Sequence, residues 1–254
     1  MRLIFIRHGD PDYKNDGLTE KGMREAELIA KRVASWKNIT QIYQSPLGRA
    51  KATAAPALKL LEREAITCDW LQEFHNIQNQ ICWDLLPQDF FSDKKHFDKD
   101  KWPKGRFIKA GKVKNYYNQV CQGFDGILEN YGYTRNKQGF YNVASPVPNH
   151  NWSEPIFKYH LKSIKDDYPK ETTLVFFCHL GVMFTIIAHL IGMSPMQLWQ
   201  GFYVAPTSVT ILNSEERIAG QASFRVERLG DTNHLTNGGE PISSSGYFAN
   251  VFED

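Results

Sequence analysis

The chain has 254 residues, an apolar fraction of 42% and a formal net charge of +2, values typical of a globular protein with room for a sizeable core. The near balance of charge gives no global field that would indicate a nucleic-acid or membrane partner, and no stretch approaches the roughly 20 apolar residues of a membrane span. The four cysteines lack metal-site spacing and the N-terminal apolar run is too short for a signal peptide, so we expect a soluble, cytoplasmic protein without a metal.

The first part of the chain alternates between short apolar runs and helical periodicity. Residues 3–6 form a continuous apolar run, which is typical of a strand covered on both faces. Thr19 is a good helix N-cap, and apolar residues recur at helical spacing after it. A helix over residues 47–61 lies between predicted strands at 41–44 and 66–68. This order of strand and helix predicts a mostly parallel sheet with helices on both faces.

The middle of the chain departs from this alternation. Residues 75–112 show no clear period and mix aromatic with charged, mostly basic, side chains. A helix over 113–131 and a hairpin over 132–143 are predicted after them. We expect a single domain over residues 1–254 in which a cap is inserted at about 75–150. Such insertions on a rigid scaffold usually decide which substrate is bound.

Regular α/β order resumes in the last third of the chain. The predicted elements are a helix at 154–168, a strand at 173–177, a helix at 181–191, a helix that is capped by Ser194 and ends at 199, and strands at 208–212 and 222–227. The tail after Asn237 is rich in Gly and Ser and is expected to be mobile. The sequence makes no prediction of the oligomeric state.

Two of the apolar runs end in a histidine. His8 follows residues 3–6, between Arg7 and Gly9, and His179 follows a second run at 174–177. Taken singly, either histidine is more simply explained by a solvated turn or a core hydrogen bond. Open α/β sheets bind ligands outside the carboxyl ends of their strands, and neighbouring parallel strands would bring both rings to one edge. Gly9 would let the backbone turn sharply and a ligand approach closely.

Two further candidates lie between the histidines. Arg49 begins a predicted helix, where a cation is disfavoured unless an anion such as phosphate lies beside it; a surface arginine is the alternative. Glu73 follows a short strand and an apolar Trp-Leu pair, and a carboxyl in a partly apolar cleft has a raised pKa suited to a general acid. A solvated glutamate is the alternative, and Asp84 is a competing carboxylate. A nucleophile, cationic clamps and a proton donor are what phosphoryl transfer through a phosphohistidine requires.

Short motifs occur in a specific order along most of the chain. They are RHG at 7–9, LTEKG at 18–22, SPLGRA at 45–50, LQE at 71–73 and CHLG at 178–181. This set resembles the histidine phosphatase superfamily, also called phosphoglycerate mutase-like, and GDTNHL at 230–235 is similar to the end of many members. The resemblance implies an α/β fold, a three-layer α/β/α sandwich with a mostly parallel central sheet.

The resemblance also implies a role for each candidate residue. His8 would be the nucleophile that is phosphorylated, and Glu73 would be the proton donor. The phosphate pocket and its neighbours would be Arg7, Arg49, a protonated His179, Gly9 and Leu180. No metal or cofactor takes part in this reaction, and the partner would be a small-molecule phosphate ester.

The sequence departs from the family pattern in two places. Phosphoglycerate mutases usually continue the first motif with Glu-Ser and a Trp-Asn stretch, whereas residues 10–15 read DPDYKN, which favours a phosphatase over a mutase. The usual glycine-rich run after Glu73 is replaced by FHNI at 74–77, so Asp84 stays open as the alternative acid. Three hypotheses remain: a phosphomonoesterase acting through a phosphohistidine, a mutase-type isomerase, and a module that binds a phosphorylated ligand without turnover. The first is favoured.

Overall fold

The structure is a computed structural model, and it describes residues 1–74, 84–106, 108, 113–144, 172–218 and 220–252. Helices and strands are numbered in chain order. The strands are β1 Arg2–Arg7, β2 Pro11–Asp12, β3 Gly17–Leu18, β4 Ile39–Gln44, β5 Ile66–Thr67, β6 Tyr133–Arg135, β7 Tyr141–Val143, β8 Thr173–Cys178, β9 Val209–Ile218 and β10 Gln221–Asp231. The helices are α1 Glu20–Ala34, α2 Gly48–Leu61, α3 Pro87–Ser92, α4 Val113–Glu129, α5 Leu180–Ile191, α6 Pro195–Gly201 and α7 Asn233–Gly238.

One large sheet runs through the described part of the chain in the order β5-β4-β8-β1-β9-β10-β7-β6. The four strands from β5 to β1 are parallel, as the alternation of strand and helix predicted. The sheet then continues with antiparallel strands from the end of the chain and from the hairpin. Because β1 and β8 are adjacent and parallel, the residues that follow them leave the sheet at the same edge.

The two faces of the sheet are covered by different helices. Alternate residues of β1 point to opposite faces, so Ile4 and Ile6 pack in a core with α1 and α2, whereas Leu3 and Phe5 pack in a second core with α4 and α5. Thr19 caps α1 as predicted, since its side chain accepts a hydrogen bond from Gly22 N–H. The predicted three-layer α/β/α arrangement is confirmed.

Part of the predicted cap belongs to these layers. Phe124 and Leu128 of α4 are fully buried in the core beneath the sheet, and the β6–β7 hairpin extends the sheet because Tyr141 pairs with Ala222 of β10. The helix predicted at 154–168 lies outside the described residues, as do 75–83 and 145–150 of the cap. Where the chain is described, no helix is both long and apolar enough to cross a membrane.

Candidate active site

The carboxyl ends of β1 and β8 bring the two histidines together. Arg7 pairs with Cys178 in the parallel ladder, and the N–H of His8 donates to the Cys178 carbonyl at 2.9 Å. The imidazole rings of His8 and His179 lie with their centroids 5.1 Å apart, and both are buried. The juxtaposition that the two strand-to-histidine junctions predicted is therefore confirmed.

The ring of His8 is oriented by the backbone carbonyl of the next residue. Its Nδ1 lies 2.8 Å from the Gly9 carbonyl, and since a carbonyl oxygen only accepts, this bond assigns the ring proton to Nδ1 and the lone pair to Nε2. Burial, followed by the charge of Arg7, lowers the pKa of His8 well below its ordinary value of 6.5. The ring is neutral at pH 7 and its Nε2 carries the lone pair.

His179 is oriented by a buried serine. Its Nε2 lies 2.7 Å from Ser45 Oγ, which also accepts a hydrogen bond from Leu47 N–H. The serine hydroxyl proton is then free to donate to Nε2, and a neutral ring carries its proton on Nδ1. Burial and the neighbouring His8 lower the pKa of His179 well below 6.5. The resemblance implied a protonated His179; the structure favours a neutral ring that offers one N–H.

The guanidinium of Arg7 is fastened by two backbone carbonyls. Nη1 donates to Val204 O at 2.7 Å, and Nη2 donates to Ser245 O at 2.9 Å. The guanidinium also lies 5.7 Å from the ring centroid of Tyr203. Ser245 belongs to the tail that was expected to be mobile, so this part of the tail packs against the site.

Arg49 is the second residue of α2 and has an anion beside it, as its position at a helix N-terminus predicted. That anion is the carboxylate of Asp16, which accepts from Arg49 Nη1 at 2.6 Å and from Gly48 N–H at 2.6 Å. A Cβ at Gly48 would lie 2.1 Å from the Asp16 carbonyl oxygen, so the approach of the two segments requires glycine. Asp16 thereby orients the guanidinium of Arg49 through its Nη1 group.

Three buried N–H donors at this site have no acceptor among the residues that the structure describes. They are Arg7 Nε, Arg49 Nε and His179 Nδ1. The charges of both arginines lower the pKa of both histidines, which places all four side chains in one electrostatic environment. A buried donor without an acceptor is costly, so three of them in one site point to a ligand that supplies several acceptor oxygens.

Glu73 lies at the N-terminus of α5, the helix that begins directly after His179. Its carboxylate accepts from Gly181 N–H at 2.9 Å and from Val182 N–H at 3.1 Å. Burial raises the pKa of Glu73 above its ordinary value of 4.5, and the Gly181 hydrogen bond opposes that rise. Leu180 is the first residue of the same helix, so its N–H has no acceptor within the helix.

The competing acid is placed differently. Asp84 is exposed, and within the described residues it makes no hydrogen bond to the histidines or the arginines. The structure therefore places Glu73 at the edge of the sheet where the histidines meet, and it shows no such contact for Asp84 among the described residues.

Gly9 is required where the backbone passes close to α1. A Cβ on Gly9 would lie 2.8 Å from the carbonyl oxygen of Gly22, and a Cβ on Gly22 would lie 2.2 Å from Asp10 O. The backbone of Gly9 is not in the left-handed region. The glycine therefore permits close packing of the loop that follows β1 against α1, and it does so without a left-handed φ.

Several residues that hold the site were not found from the sequence. Thr53 accepts a hydrogen bond from Gly9 N–H at 2.9 Å and donates to Arg49 O at 2.8 Å, and Glu25 accepts from Asp10 N–H at 2.7 Å. The only available signal was a polar residue on the otherwise apolar face of each helix. No group of three or more His, Cys, Asp or Glu side chains in the described ranges could hold a metal ion.

A family of known proteins matches part of this chain. The model of the histidine phosphatase superfamily (branch 1) matches residues 3–130, half of the chain. No curated protein sequence matches the chain.

Solved structures of several phosphatases share the fold. A mutant phosphoserine phosphatase from Entamoeba histolytica, in complex with phosphoserine, is 19% identical, with 92% of this chain and 98% of the other covered and a TM-score of 0.55. A mycobacterial glucosyl-3-phosphoglycerate phosphatase is 16% identical, with coverage of 91% and 99% and a TM-score of 0.58. The α-ribazole phosphatase of Shigella flexneri is 20% identical, with coverage of 91% and 96% and a TM-score of 0.53. At these identities the likeness concerns the fold.

Proposed function

The chain belongs to the histidine phosphatase superfamily, and we propose that it is a phosphomonoesterase that acts through a covalent phosphohistidine on His8. The observation that carries this proposal is the set of unpartnered donors on Arg7, Arg49 and His179, in one site with a neutral imidazole. A phosphate ester presents three non-bridging oxygens, which matches a site that holds three donors without acceptors.

In the first step, His8 Nε2 attacks the phosphorus in line with the ester oxygen. The N–P bond forms while the P–O bond to the leaving group breaks. Positive charge develops on the ring, and the Gly9 carbonyl that accepts from Nδ1 stabilises it. The two arginines and His179 hold the equatorial oxygens, where negative charge collects, and the Leu180 N–H at the start of α5 adds a further donor.

Glu73 is the general acid in the first step and the general base in the second. Its carboxyl protonates the leaving oxygen, and the resulting carboxylate takes a proton from the water that breaks the N–P bond and releases inorganic phosphate. At their ordinary pKa values of 6.5 and 4.5, few molecules would combine a neutral histidine with a protonated glutamate. Burial lowers the pKa of His8 and raises that of Glu73, so this combination becomes more populated.

The substrate in this proposal is a small-molecule phosphate ester, and the part of the predicted cap that precedes α4 selects it. Hydrolysis is favoured over mutase-type transfer by the DPDYKN sequence at 10–15 and by neighbours whose names specify phosphatases. Binding without turnover is disfavoured because both histidines and both arginines are in place. Three buried cysteines carry free thiols, which suits the reducing cytoplasm.

Phosphate release tests this proposal. The wild type and a His8→Ala variant are assayed with 4-nitrophenyl phosphate and a panel of metabolite monoesters, in the presence of EDTA. We expect the wild type to release phosphate and His8→Ala to retain less than about a hundredth of that activity, since the nucleophile is lost.

The matched control is His189→Ala, which removes another largely buried histidine, one that pairs with Asp125 on α4. It should keep its activity. Release that is unaffected by His8→Ala would contradict the mechanism. Transfer of phosphate between hydroxyls without its release would instead establish the mutase.

A further inference from the structure

The closing motif at residues 230–235 has no role in the chemistry described above. Asp231 ends β10 and His234 lies in the short helix α7, far along the chain from the catalytic residues. The ring of His234 is nevertheless buried. Its contacts lead back to the end of β1, where Arg7 and His8 lie.

Thr207 is the intermediate in that connection. It is fully buried, and its φ of 55° is in the left-handed region, which is unfavourable for a β-branched residue. The other non-glycine residues with positive φ in the described ranges, Asp16, Asn38 and Glu62, are not β-branched. Such strain persists only where surrounding contacts over-determine the backbone, and it clusters at functional sites.

The strained conformation gives Thr207 its position against the catalytic backbone. Its N–H lies 3.0 Å from Arg7 O and 3.3 Å from His8 O, and the next residue, Ser208, accepts from Arg7 N–H at 3.4 Å. The regular pairing of β1 with β9 ends before this point, at Ile6 and Val209. Thr207 therefore continues the support of β1 past the end of the ladder.

His234 holds Thr207 through its side chain. The Thr207 hydroxyl donates to Pro206 O at 2.8 Å, so it accepts from His234 Nε2–H at 3.0 Å. The other ring nitrogen, Nδ1, accepts from Arg32 Nη1 at 3.3 Å, and Arg32 is itself paired with Asp231 at 2.8 Å. Arg32 therefore donates to His234, His234 donates to Thr207, and Thr207 donates to the Pro206 carbonyl. A neutral His234 with its proton on Nε2 satisfies all of these hydrogen bonds.

We propose that His234 is a positioning residue for catalysis, because its Nε2–H holds Thr207 in the left-handed conformation that supports the carbonyls of Arg7 and His8. This inference rests on the proposed function of His8. Loss of the bond would let Thr207 relax toward an ordinary conformation and withdraw its N–H. The nucleophile and one phosphate clamp would then move together, and small displacements of reacting groups cost large factors in rate.

A set of variants tests this role by kcat and KM. We expect His234→Ala to lower kcat by about ten- to a hundredfold and to change KM by less than about threefold, since Arg49 and His179 still bind phosphate. His234→Gln should restore most of kcat because its amide offers an N–H at a similar reach. Thr207→Val should match His234→Ala, and Thr207→Ser should resemble the wild type.

The double variant gives the sharper comparison. Because Thr207→Val and His234→Ala remove the same bond, the double variant should have the kcat of either single variant. Multiplied losses would overturn the proposal. The proposal would also be overturned if His189→Ala, which likewise removes a largely buried histidine ring, lowered kcat as much as His234→Ala does.

Amide hydrogen exchange gives a readout that does not depend on turnover. In His234→Ala the Thr207 N–H should exchange at least about tenfold faster than in the wild type, and in His234→Gln it should stay protected. Unchanged protection in His234→Ala would overturn the proposal even if kcat falls. If the wild type proves inactive on every ester, the proposed function fails, whereas the exchange result still decides whether His234 holds Thr207.

Discussion

At the scale of single residues, burial shifts the pKa values of the proposed acid, Glu73, and the proposed nucleophile, His8, in opposite directions. Charged forms are disfavoured in the site, so the imidazole of His8 stays neutral while the pKa of the Glu73 carboxyl rises. The Gly181 and Phe74 amides that donate to Glu73 limit that rise, because they stabilise the carboxylate. The same residue therefore caps α5 and is poised to exchange a proton.

The role of Glu73 predicts a dependence on the leaving group. Glu73→Gln should lower kcat by about a hundredfold for an alkyl phosphate, whose alkoxide needs a proton. For 4-nitrophenyl phosphate, whose leaving group is stable as an anion, the loss should be much smaller. Initial-rate assays of both esters measure this difference.

Asp84→Asn is the control for the alternative acid, and neither ester should respond to it. Equal losses on both esters in Glu73→Gln would show that Glu73 serves only to cap α5. A selective loss on the alkyl ester in Asp84→Asn would transfer the role of acid to Asp84.

At the scale of elements, α1 and α2 each hold the loop that follows β1 by one side-chain hydrogen bond. Thr53 of α2 accepts from Gly9 N–H, and Glu25 of α1 accepts from Asp10 N–H. Glu25 is fully buried, and its second oxygen has no partner. The attachment of the loop to α1 therefore buries a carboxyl that forms no close ion pair with any described residue, and Lys21 opposes the rise of its pKa only weakly.

This arrangement makes stability depend on pH. Burial raises the pKa of Glu25 from 4.5 to about 7, so the folded protein binds a proton more tightly than the unfolded chain does. The stabilisation is present below pH 4.5 and is lost as the pH rises through 7. Glu25→Gln keeps an acceptor for Asp10 N–H and removes the charge. Between pH 5 and pH 8, the free energy of unfolding of the wild type should therefore fall by about 2 to 3 kcal/mol relative to that of Glu25→Gln.

Urea unfolding at the two pH values measures the effect. Glu27→Gln, on the exposed side of the same helix, is the matched control, and its difference from the wild type should not change with pH. A Glu25→Gln difference that stays constant from pH 5 to pH 8 would contradict the account.

At the scale of the whole molecule, the site joins the two ends of the chain. Arg7 near the start donates to Ser245 near the end, and the rings of Tyr203 and Tyr247 stack with centroids 4.3 Å apart beside it. Glu240 forms salt bridges with Lys21 and Arg24 of α1. The C-terminal segment is therefore a part of the support of the phosphate clamp.

This organisation explains which parts of the site could be predicted from the sequence and which could not. Residues 3–6 and 174–177 predicted the central strands because an apolar run that ends in a histidine is a local pattern, and parallel pairing then fixed where the histidines meet. The bond between Arg7 and Ser245 joins positions 238 residues apart, and nothing local in a Gly- and Ser-rich tail indicates it. Asp16 and Thr53 were missed for the same reason, since their partners are set by packing.

The most direct test of the account is to trap the phosphoenzyme. The wild type is mixed rapidly with 4-nitrophenyl phosphate, quenched in alkali, where phosphohistidine survives, and mapped by peptide mass spectrometry. The account predicts phosphate on the peptide that contains His8, at up to about one group per chain, and none in His8→Ala. Release of nitrophenol with no phosphate on the protein, or with phosphate on another residue, would contradict it.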